Sequence, residues 1–528
     1  MTKPDSAFRL PPSALMWISL ALLAVFTYFF SLSIPLLGPD EPRYAQVARE
    51  MFERGDWITP TLGGHNWFEK PALLYWLEMA SFNLFGVTEF AARIGPALFG
   101  LGTVAALWLL GNSIATENTE VTEKSKSLPL MFSVSDSFAN WLALIAASTL
   151  GILVFSRGAS FDITVTFPMT AALVSFFIFD HAQRNHPVAI APGSNTPRRA
   201  VLPLILFYFF IGVALLAKGL IGIVFPYAIV TLYYLLSRRM PSRQFIVSLF
   251  WGILIAMAVA AVWYLPMYMR HGWEFVDEFF LQHHFQRFTS NKYKHPQPFY
   301  FFLWVLPLMT LPWLPFFFAA IWKFIKSTFH KSATENTEYA EQSSLLLFAI
   351  AWLIVPLGFF SFSGSKLPGY ILPAVPAAIL ITALFVNKLV SKAKWRNFVA
   401  AIATATFVTT IILLATVVPK FAGYDSVKSL IAAGDERGLS SSKVLTMHTI
   451  SHNAEFYAAG RLLREENGEQ KKLYGTNDIL NVIANDGGRP VLVLVPLEYR
   501  HQLTGAEQLK SEILDDNGEL AIVAVSAK

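Results

Sequence analysis

The chain has 528 residues, of which 54% are apolar and 15% aromatic, with a formal net charge of +5. Its mean hydropathy of +0.47 is too high for a soluble globular surface and favours a polytopic membrane protein. The absence of cysteine excludes disulfides, thiolate catalysis and cysteine-ligated metal sites. Lysine and arginine lie in short segments between apolar runs, which argues against a nucleic-acid-binding face.

Apolar runs long enough to cross a bilayer as helices recur through the membrane region, residues 1–419. The first is predicted to be a retained helix, because its uncharged stretch is too long for a signal-peptide core. A crossing needs about 20 residues. The predicted crossings are 15–37, 94–112, 138–156, 163–179, 201–217, 219–237, 246–266, 299–322, 345–361, 370–387 and 398–418.

The distribution of basic residues predicts the orientation of these crossings. An odd number of crossings places the two ends of the chain on opposite sides, and every segment on the N-terminal side is basic, which indicates the cytoplasm. Two of these segments contain the same hexapeptide, Ala-Thr-Glu-Asn-Thr-Glu, at 115–120 and 333–338, and both copies are interpreted as polar insertions. Outside the membrane we predict two long loops, 38–93 and 267–298, and the C-terminal tail.

The tail, residues 420–528, is long enough to form a domain. Strand-like runs at 443–450, 490–496 and 520–525 alternate with more polar, helix-compatible stretches. The predicted organisation is a membrane-embedded catalytic domain, 1–419, followed by a small extracytoplasmic α/β domain. The fold class is therefore mainly α, with a transmembrane helix bundle.

The first outer loop begins with Gly38-Pro39-Asp40-Glu41-Pro42-Arg43-Tyr44, which places two carboxylates where the first crossing leaves the bilayer. After them, apolar residues repeat with helical spacing from Tyr44 to Phe52, which predicts an amphipathic helix ending near Gly55. Asp40 or Glu41 is expected to cap this helix, and such a cap is the structural alternative to a catalytic role for Asp40.

Two further charged residues stand close to predicted membrane boundaries. Lys70 precedes a second apolar helix, 71–85, where a cation suits a lipid phosphate, although a lysine that extends to the interface is the simpler alternative. Asp162 lies at the top of the hairpin between the third and fourth crossings. An acid at that depth indicates function, and an ion pair with Arg157 is the structural alternative.

The second outer loop contains Gln282-His283-His284-Phe285-Gln286-Arg287. Adjacent histidines project in different directions, so at most one joins a site with Arg287; a purely structural histidine is the alternative. A metal held by His284 with Glu69 is a hypothesis. Lys366, in the turn Ser365-Lys366-Leu367-Pro368-Gly369-Tyr370, adds a cation on the same predicted side.

Convergence of these residues on one membrane face predicts group transfer from a lipid-linked phosphate. Carboxylates could deprotonate an acceptor, and Lys70, Arg287 and Lys366 could bind a phosphate whose charge grows as it leaves. The sequence contains no phosphate-binding P-loop, dinucleotide glycine motif or Gly-x-Ser-x-Gly elbow, so ATP-driven transport and serine hydrolysis have no support.

These motifs resemble those of a known family. Asp40-Glu41-Pro42-Arg43-Tyr44, Gly55-Asp56-Trp57, Phe68-Glu69-Lys70-Pro71 and Ser365-Lys366-Leu367-Pro368 resemble the lipid A aminoarabinose transferases, bacterial members of the protein mannosyltransferase superfamily. The resemblance is strongest over 38–96, and it implies a C-type glycosyltransferase (GT-C) fold, a polyprenyl-phosphate sugar donor and inversion at the anomeric carbon. The predicted crossings are fewer than in those transferases, so the sugar and the acceptor stay open.

The resemblance also implies roles for individual residues. Asp40 is the expected general base, with Glu41 beside it and Asp162 as a second acidic residue. It implies that Lys70 and Arg287 bind the donor phosphate, with Tyr370 beside it. Lys366 and Arg43 are the further predicted ligands of this phosphate. No cofactor is required, but a divalent metal near Glu69 and His284 is compatible with the family.

Three other functions remain open at this point. An enzyme that transfers a sugar to protein, as in protein O-mannosylation, would use the same donor class. A lipid or sugar transporter would need polar residues deep in several helices and usually a repeated half, whereas these crossings are almost uncharged in their middles. A membrane assembly subunit would leave the one-sided charges unexplained. The leading prediction is a transferase in the bacterial inner membrane that acts on an envelope acceptor, favouring a lipid A-type glycolipid.

Overall fold

A computed structural model describes residues 12–120, 138–185, 197–286, 297–329 and 337–528. Helices dominate the part of the chain before residue 430. These helices are α1 (Pro12–Phe29), α2 (Asp40–Arg54), α3 (Leu73–Phe85), α4 (Glu89–Glu120), α5 (Phe138–Ser148), α6 (Leu150–Phe155), α7 (Phe161–Asn185), α8 (Pro197–Lys218), α9 (Ile221–Ser237), α10 (Arg243–Val276), α11 (Phe301–Met309), α12 (Leu314–Phe329), α13 (Thr337–Ser361), α14 (Val375–Val390) and α15 (Ala393–Asp425).

Every predicted crossing coincides with a helix or a pair of helices, so the chain is a multi-span membrane protein. Among the described residues, seven helices are long and apolar enough to cross a bilayer on their own. Three more, Ala14–Phe29, Phe138–Ser148 and Ile221–Ser237, are apolar but shorter. The predicted crossing 299–322 consists of two helices, α11 and α12, that meet at an angle of 118°.

The described residues form two compact units. The first takes its residues from Met1–Phe30, Pro96–Arg157 and Phe161–Thr410, and the second from Ser31–Gly95, Gly158–Ser160 and Ile411–Lys528. These two units are defined by how closely their residues pack, whereas the predicted boundary between 419 and 420 rests on the change from apolar to polar sequence. That boundary stays a prediction.

The first unit packs its helices through a buried aromatic cluster. The ring of Phe176 on α7 lies 5.3–6.1 Å, centroid to centroid, from the rings of Phe207, Tyr233, Phe245 and Phe348. Edge-to-face and tilted ring pairs add to the area that aromatic residues bury. The cluster therefore holds α7, α8, α9, α10 and α13 together.

The second unit contains a five-stranded sheet and short helices. The strands and helices are β3 (Val444–Met447), β4 (Lys472–Leu473), β5 (Val491–Pro496), β6 (Leu509–Asp516) and β7 (Leu520–Ala527), with α16 (Lys428–Gly434), α17 (Ala454–Tyr457), α18 (Thr476–Asn485) and α19 (Arg500–Thr504). The strand order is β4-β3-β5-β7-β6. Strands β4, β3 and β5 run parallel, while β7 is antiparallel to both of its neighbours.

The three predicted strand runs are all strands in this sheet. Alternate residues of β5 face opposite sides: Val493 packs with Ile479, whereas Leu492 packs with Leu430. Both sides are covered, which explains the uninterrupted apolar sequence of β5. The sequence did not predict β6, because it is an edge strand with many exposed charged residues.

The second unit also contains the segment that follows α1. Helix α2 has a buried side formed by Tyr44, Val47, Ala48 and Met51, and it ends at Gly55, whose φ is +65°. The predicted amphipathic helix is thus confirmed. A two-stranded hairpin, β1 (Thr61–Leu62) and β2 (His65–Asn66), then leads to α3.

The expectation that Asp40 or Glu41 caps α2 is wrong. Pro39 occupies the N-cap position without a side-chain hydrogen bond, and both acids already belong to the first helical turn. There they favour the helix through the partial positive charge of its N-terminus.

Candidate active site

In the second unit, Asp40 and Arg43 form an ion pair across the first turn of α2. The Asp40 side chain is 48% exposed and Arg43 is 22% exposed. The Arg43 guanidinium lies over the ring of Trp67, 5.4 Å from its centroid. A cation–π contact of this kind orients the guanidinium while Asp40 keeps an accessible carboxylate.

Glu69 and Lys70 form a second ion pair in the same unit. Lys70 Nζ lies 2.9 Å from Glu69 Oε1, and both side chains are only 12% exposed. Burial raises the pKa of Tyr44 first, and the charges of Glu69 and Asp40 raise it further. Burial lowers the pKa of Arg43, but the charges of Glu69, Tyr44, Asp40 and Tyr75 together raise it above the ordinary arginine value. Asp40, Arg43, Glu69 and Tyr44 therefore belong to one electrostatic cluster.

Glu41 has a different environment from Asp40. Its Oε1 accepts hydrogen bonds from Arg93 Nε at 3.1 Å and from the backbone N of Ala159 at 2.7 Å. Its Oε2 accepts from Arg93 Nη2 at 2.6 Å and from the backbone N of Leu37 at 2.8 Å. A carboxylate has about four acceptor positions, so all the acceptor capacity of Glu41 is used.

Arg93 is buried and uses every N–H of its guanidinium. Besides Glu41, it donates to the carbonyl oxygens of Leu32, Ile34 and Pro35. These bonds fix the backbone that leads from α1 to α2. The arginine therefore positions the start of α2, on which Asp40 lies.

Glu78 is a second buried acid near Glu41. It is fully buried on α3, and neither carboxyl oxygen has a hydrogen-bond partner among the described residues. Burial raises the pKa of Glu78 well above its ordinary value, and the charge of Glu41 adds to the effect. Burial without a partner therefore favours the neutral form of Glu78.

We expect Glu78→Gln to stabilise the protein more at about pH 8 than at about pH 5. The pKa of Glu78 is higher in the folded protein than in the unfolded chain. The free energy of unfolding is therefore highest below the unfolded pKa, and it falls as the pH rises through the folded pKa. Each pH unit in that window costs about 1.4 kcal/mol, whereas glutamine stays neutral. Thermal unfolding of both proteins in detergent measures the difference, with Glu507→Gln as an exposed control. Equal shifts at the two pH values would contradict the prediction.

In the first unit, Asp162 lies in the first turn of α7 and forms an ion pair with Lys218, at the end of α8. Lys218 Nζ also lies 5.1 Å from the ring centroid of Tyr370. A Cβ at Gly369 would come within 1.8 Å of Asp162 Oδ2, so only glycine allows this close approach. The structure thus places two predicted residues, Asp162 and Tyr370, around a lysine.

Two other cations of the first unit bond backbone carbonyls. Arg157 donates to the carbonyl oxygens of Thr27, Tyr28 and Phe30 at the end of α1. Lys366 is 6% exposed and donates to the carbonyl oxygens of Ser363, at 2.6 Å, and Gln297, at 2.9 Å.

Burial lowers the pKa of Lys366 below the ordinary lysine value. A lysine so placed is less hydrated than an exposed one and keeps an N–H beyond its two carbonyl bonds.

The metal hypothesis and one phosphate ligand fall partly outside the described residues. Arg287 lies outside them, and of His284 only the backbone is described, within the helical stretch Asp277–Gln286. Within the described ranges, no group of three or more histidine, aspartate or glutamate side chains is arranged to hold a metal ion. A metal at Glu69 and His284 stays a prediction.

Sequence reasoning missed the roles of Lys218, Arg93 and Glu78. Lys218 stands between the predicted crossings 201–217 and 219–237, and a cation so close to the membrane is itself a signal of function. Arg93 stands at the edge of a predicted crossing, and Glu78 stands inside an apolar helix. The partners of Lys218 and Arg93 could not be identified because they lie far away in the chain.

Comparison with known proteins supports the predicted resemblance. A family model described as dolichyl-phosphate-mannose-protein mannosyltransferase matches residues 15–119. An undecaprenyl phosphate-alpha-4-amino-4-deoxy-L-arabinose arabinosyl transferase from Aeromonas hydrophila is 31% identical over 383 residues, 72% of this chain and 61% of that protein. The enzyme of the same name from Serratia proteamaculans is 29% identical, with 72% and 61% covered. The matched region thus spans about three fifths of the length of these relatives.

The fold agrees with this likeness. The crystal structure of ArnT from Cupriavidus metallidurans bound to undecaprenyl phosphate superposes with a TM-score of 0.72, at 20% identity, over 96% of this chain and 97% of that one. Its apo structure gives a TM-score of 0.70 at 19% identity, with 97% of each chain covered. The predicted GT-C-type helix bundle with a small C-terminal sheet is confirmed. The chain is therefore a multi-span membrane protein with the fold of the aminoarabinose transferases, and it is similar to them in sequence over 72% of its length.

Proposed function

We propose that this protein is an inverting glycosyltransferase that moves a sugar from a polyprenyl-phosphate donor to an acceptor of the bacterial envelope. The observation that carries the proposal is the cluster of Asp40, Arg43, Glu69 and Lys70 in the second unit, because the resemblance rests on the motifs that contain these residues. The relatives support the donor class, since their names specify an undecaprenyl phosphate sugar. A lipid A-type glycolipid is the favoured acceptor.

In the proposed reaction, Asp40 acts as the general base. Its accessible carboxylate takes the proton from the acceptor O–H as that oxygen attacks the anomeric carbon. A new C–O bond forms on the face opposite the phosphate, and the bond between the anomeric carbon and the phosphate oxygen breaks. The electron pair leaves with the polyprenyl phosphate, so the anomeric configuration inverts in one displacement.

Cations are proposed to stabilise the phosphate as its negative charge grows. Lys70 and Arg43 carry this role in the second unit, because each donates charge-assisted hydrogen bonds to an anionic oxygen. Arg287, which lies outside the described residues, stays a predicted third phosphate ligand. The ion pairs with Asp40 and Glu69 keep these cations oriented before the donor arrives. Preorganised charges of this kind need little rearrangement during the reaction.

Glu41 is proposed to position Asp40 and not to transfer a proton. Its two oxygens already accept four hydrogen bonds, and a base needs an available lone pair. Asp40 suits the role of general base better, because its carboxylate is about half exposed.

In the first unit, we propose that Asp162 acts through Lys218. The ion pair orients the lysine ammonium over Tyr370, which leaves Lys218, Lys366 and Tyr370 as candidate ligands for an anionic group of the substrate. Burying a carboxylate and an ammonium group within a membrane protein costs free energy, and such residues usually have a function.

The proposed location is the bacterial inner membrane, with the N-terminus in the cytoplasm and the catalytic residues on the outer face. The distribution of lysine and arginine among the loops supports this orientation. No cofactor is required by the proposed displacement. A divalent ion near Glu69 and His284 would act as a Lewis acid toward the phosphate.

Mass spectrometry of envelope lipids and glycans from cells with and without the gene tests this function. We expect one sugar substituent to disappear from an envelope glycolipid when the protein is absent and to return with the wild-type chain. An unchanged set of envelope glycans, together with an altered distribution of lipids between the leaflets, would instead indicate a transporter.

A protein acceptor is the second candidate, and the family model favours it because it describes transfer of mannose to protein. The same cells distinguish the two. If the missing sugar is found on envelope proteins and the glycolipids are unchanged, the acceptor is protein.

A further inference from the structure

The second unit contains a polar cleft that the proposed transfer does not use. The cleft has a volume of about 490 Å³, within the range of about 300–1,000 Å³ that is usual for small-molecule sites. It lies between the polar side of α2, the tip of the β1–β2 hairpin and the turn after α17. Its polar lining includes Gln46, Glu50, Glu53, Arg54, His65 and Arg464.

Glu50 holds the hairpin wall of the cleft in place. Its Oε1 accepts a hydrogen bond from the backbone N of Gly63 at 2.7 Å, and its Oε2 accepts from the N of Gly64 at 3.1 Å and from Thr61 Oγ1 at 2.7 Å. Arg54 donates to Thr61 from the next turn of α2. The wall is therefore rigid before any ligand binds, which lowers the entropy lost on binding.

Arg464 joins this wall to the opposite one. A Cβ at Gly63 would come within 2.0 Å of the Arg464 guanidinium, so the arginine lies directly over the glycine. Arg464 Nη2 donates to the carboxylate of Glu455, and Nη1 donates to the carbonyl oxygen of Gly468 at 2.8 Å. The cleft is consequently a fixed shape and not a gap between loops.

Two exposed side chains are left to meet a ligand. Glu53 is 62% exposed, with its carboxylate 3.8 Å from Arg49 Nε, and His65 is exposed. Gln46 is 1% exposed and donates to Glu50, so it belongs to the wall. A carboxylate and an imidazole can bond a ligand that supplies O–H or N–H groups.

The balance of charge selects the kind of ligand. Two carboxylates, Glu50 and Glu53, offset two guanidinium groups, Arg54 and Arg464. The carboxylates disfavour a phosphate, and the neutral balance offers no strong attraction for either sign of charge. Alternating acceptors and donors suit a ring with several hydroxyl groups, each of which both donates and accepts.

We propose that this cleft binds the carbohydrate part of the acceptor at a distance from the reacting sugar. The inference rests on the proposed function and names the substrate class: an acceptor with a carbohydrate chain longer than its reacting unit. Asp40 and the cleft share helix α2, and at about 1.5 Å per residue Gln46 lies about 9 Å and Glu53 about 20 Å along the helix from Asp40. An extended acceptor could occupy both places.

The double variant Glu53→Gln with His65→Ala tests this site, because both side chains are exposed and their loss leaves the walls intact. We expect KM for a long acceptor, which carries additional sugars, to rise about tenfold with little change in kcat, the equivalent of about 1.4 kcal/mol. A short acceptor with only the reacting unit should keep its wild-type rate. The matched control, Glu498→Gln with His501→Ala, changes the same residue types on an exposed turn elsewhere in the second unit.

A binding measurement separates this inference from the proposed function. The full chain in detergent is titrated with deacylated lipopolysaccharide oligosaccharide, and we expect binding that weakens in the double variant and is not displaced by inorganic phosphate. Displacement by phosphate, or equal loss of activity on both acceptors, overturns the carbohydrate site. Absence of transfer by the wild-type protein to every acceptor would refute the function, while the titration would still decide whether the cleft binds carbohydrate.

Discussion

Replacement of Asp40 by asparagine is expected to lower the rate of sugar transfer by about 10²–10⁴-fold, the usual contribution of a general base. Asparagine keeps the shape of the side chain but cannot accept the proton from the acceptor. The measurement is transfer of a radiolabelled sugar from a polyprenyl-phosphate donor by the purified protein. Full activity in Asp40→Asn would remove Asp40 from the role of base.

Controls must separate loss of the base from disturbance of Arg43, since the two residues form an ion pair. Binding of polyprenyl phosphate should survive in Asp40→Asn and be lost in the double variant Lys70→Ala with Arg287→Ala. An exposed carboxylate elsewhere in the second unit, changed as Glu507→Gln, should leave both transfer and binding unchanged. If Asp40→Asn loses donor binding as strongly as the double variant, the residue positions the cations and is not the base.

Loss of Arg93 is expected to produce the largest effect on stability. In Arg93→Met the carboxylate of Glu41, which is only 14% exposed, loses its cation, and three carbonyl groups lose their donor. Removing one partner of a buried ion pair typically costs about 3–5 kcal/mol. Thermal unfolding in detergent measures this loss, and we expect the protein to unfold at a markedly lower temperature.

The chain offers a matched control in the pair Arg437–Glu512, whose side chains are 59% and 60% exposed. Arg437→Met should change stability by about 1 kcal/mol or less, because water screens exposed pairs. In the double variant Arg93→Met with Glu41→Met, part of the lost stability should return, since no buried charge remains. Equal shifts for Arg93→Met and Arg437→Met would show that the buried pair does not organise the start of α2.

The elements of this protein follow from local patterns in its sequence. Helix α2 was predicted from the spacing of apolar residues and ends at the predicted Gly55, because helical periodicity depends only on near neighbours. The uninterrupted apolar run of β5 indicated a covered strand for the same kind of reason. The bend between α11 and α12 was missed, since hydropathy averages over the residues where the direction of the chain changes.

The candidate residues follow less directly from the sequence than the elements do. Motifs indicated Asp40, Lys70 and Asp162 as candidates, but they did not distinguish the exposed carboxylate of Asp40 from that of Glu41, whose acceptor positions are all used. That difference depends on Arg93, 52 residues away in the chain. The polar cleft was not predicted either, since Arg464 and Gly63 are about 400 residues apart in the sequence and no local pattern links them.

Taken alone, the sequence determined that this protein is a multi-span membrane protein with a terminal sheet, and its motifs indicated a resemblance to the aminoarabinose transferases. Hydrophobicity and periodicity are properties of consecutive residues, so both can be identified from the sequence without a tertiary structure. Only the tertiary structure decided that Glu41 pairs with Arg93, that Asp162 pairs with Lys218, and that Gln46 lies at a cleft. Which charges meet depends on how distant segments pack, and packing also sets the burial that determines what those charges can do.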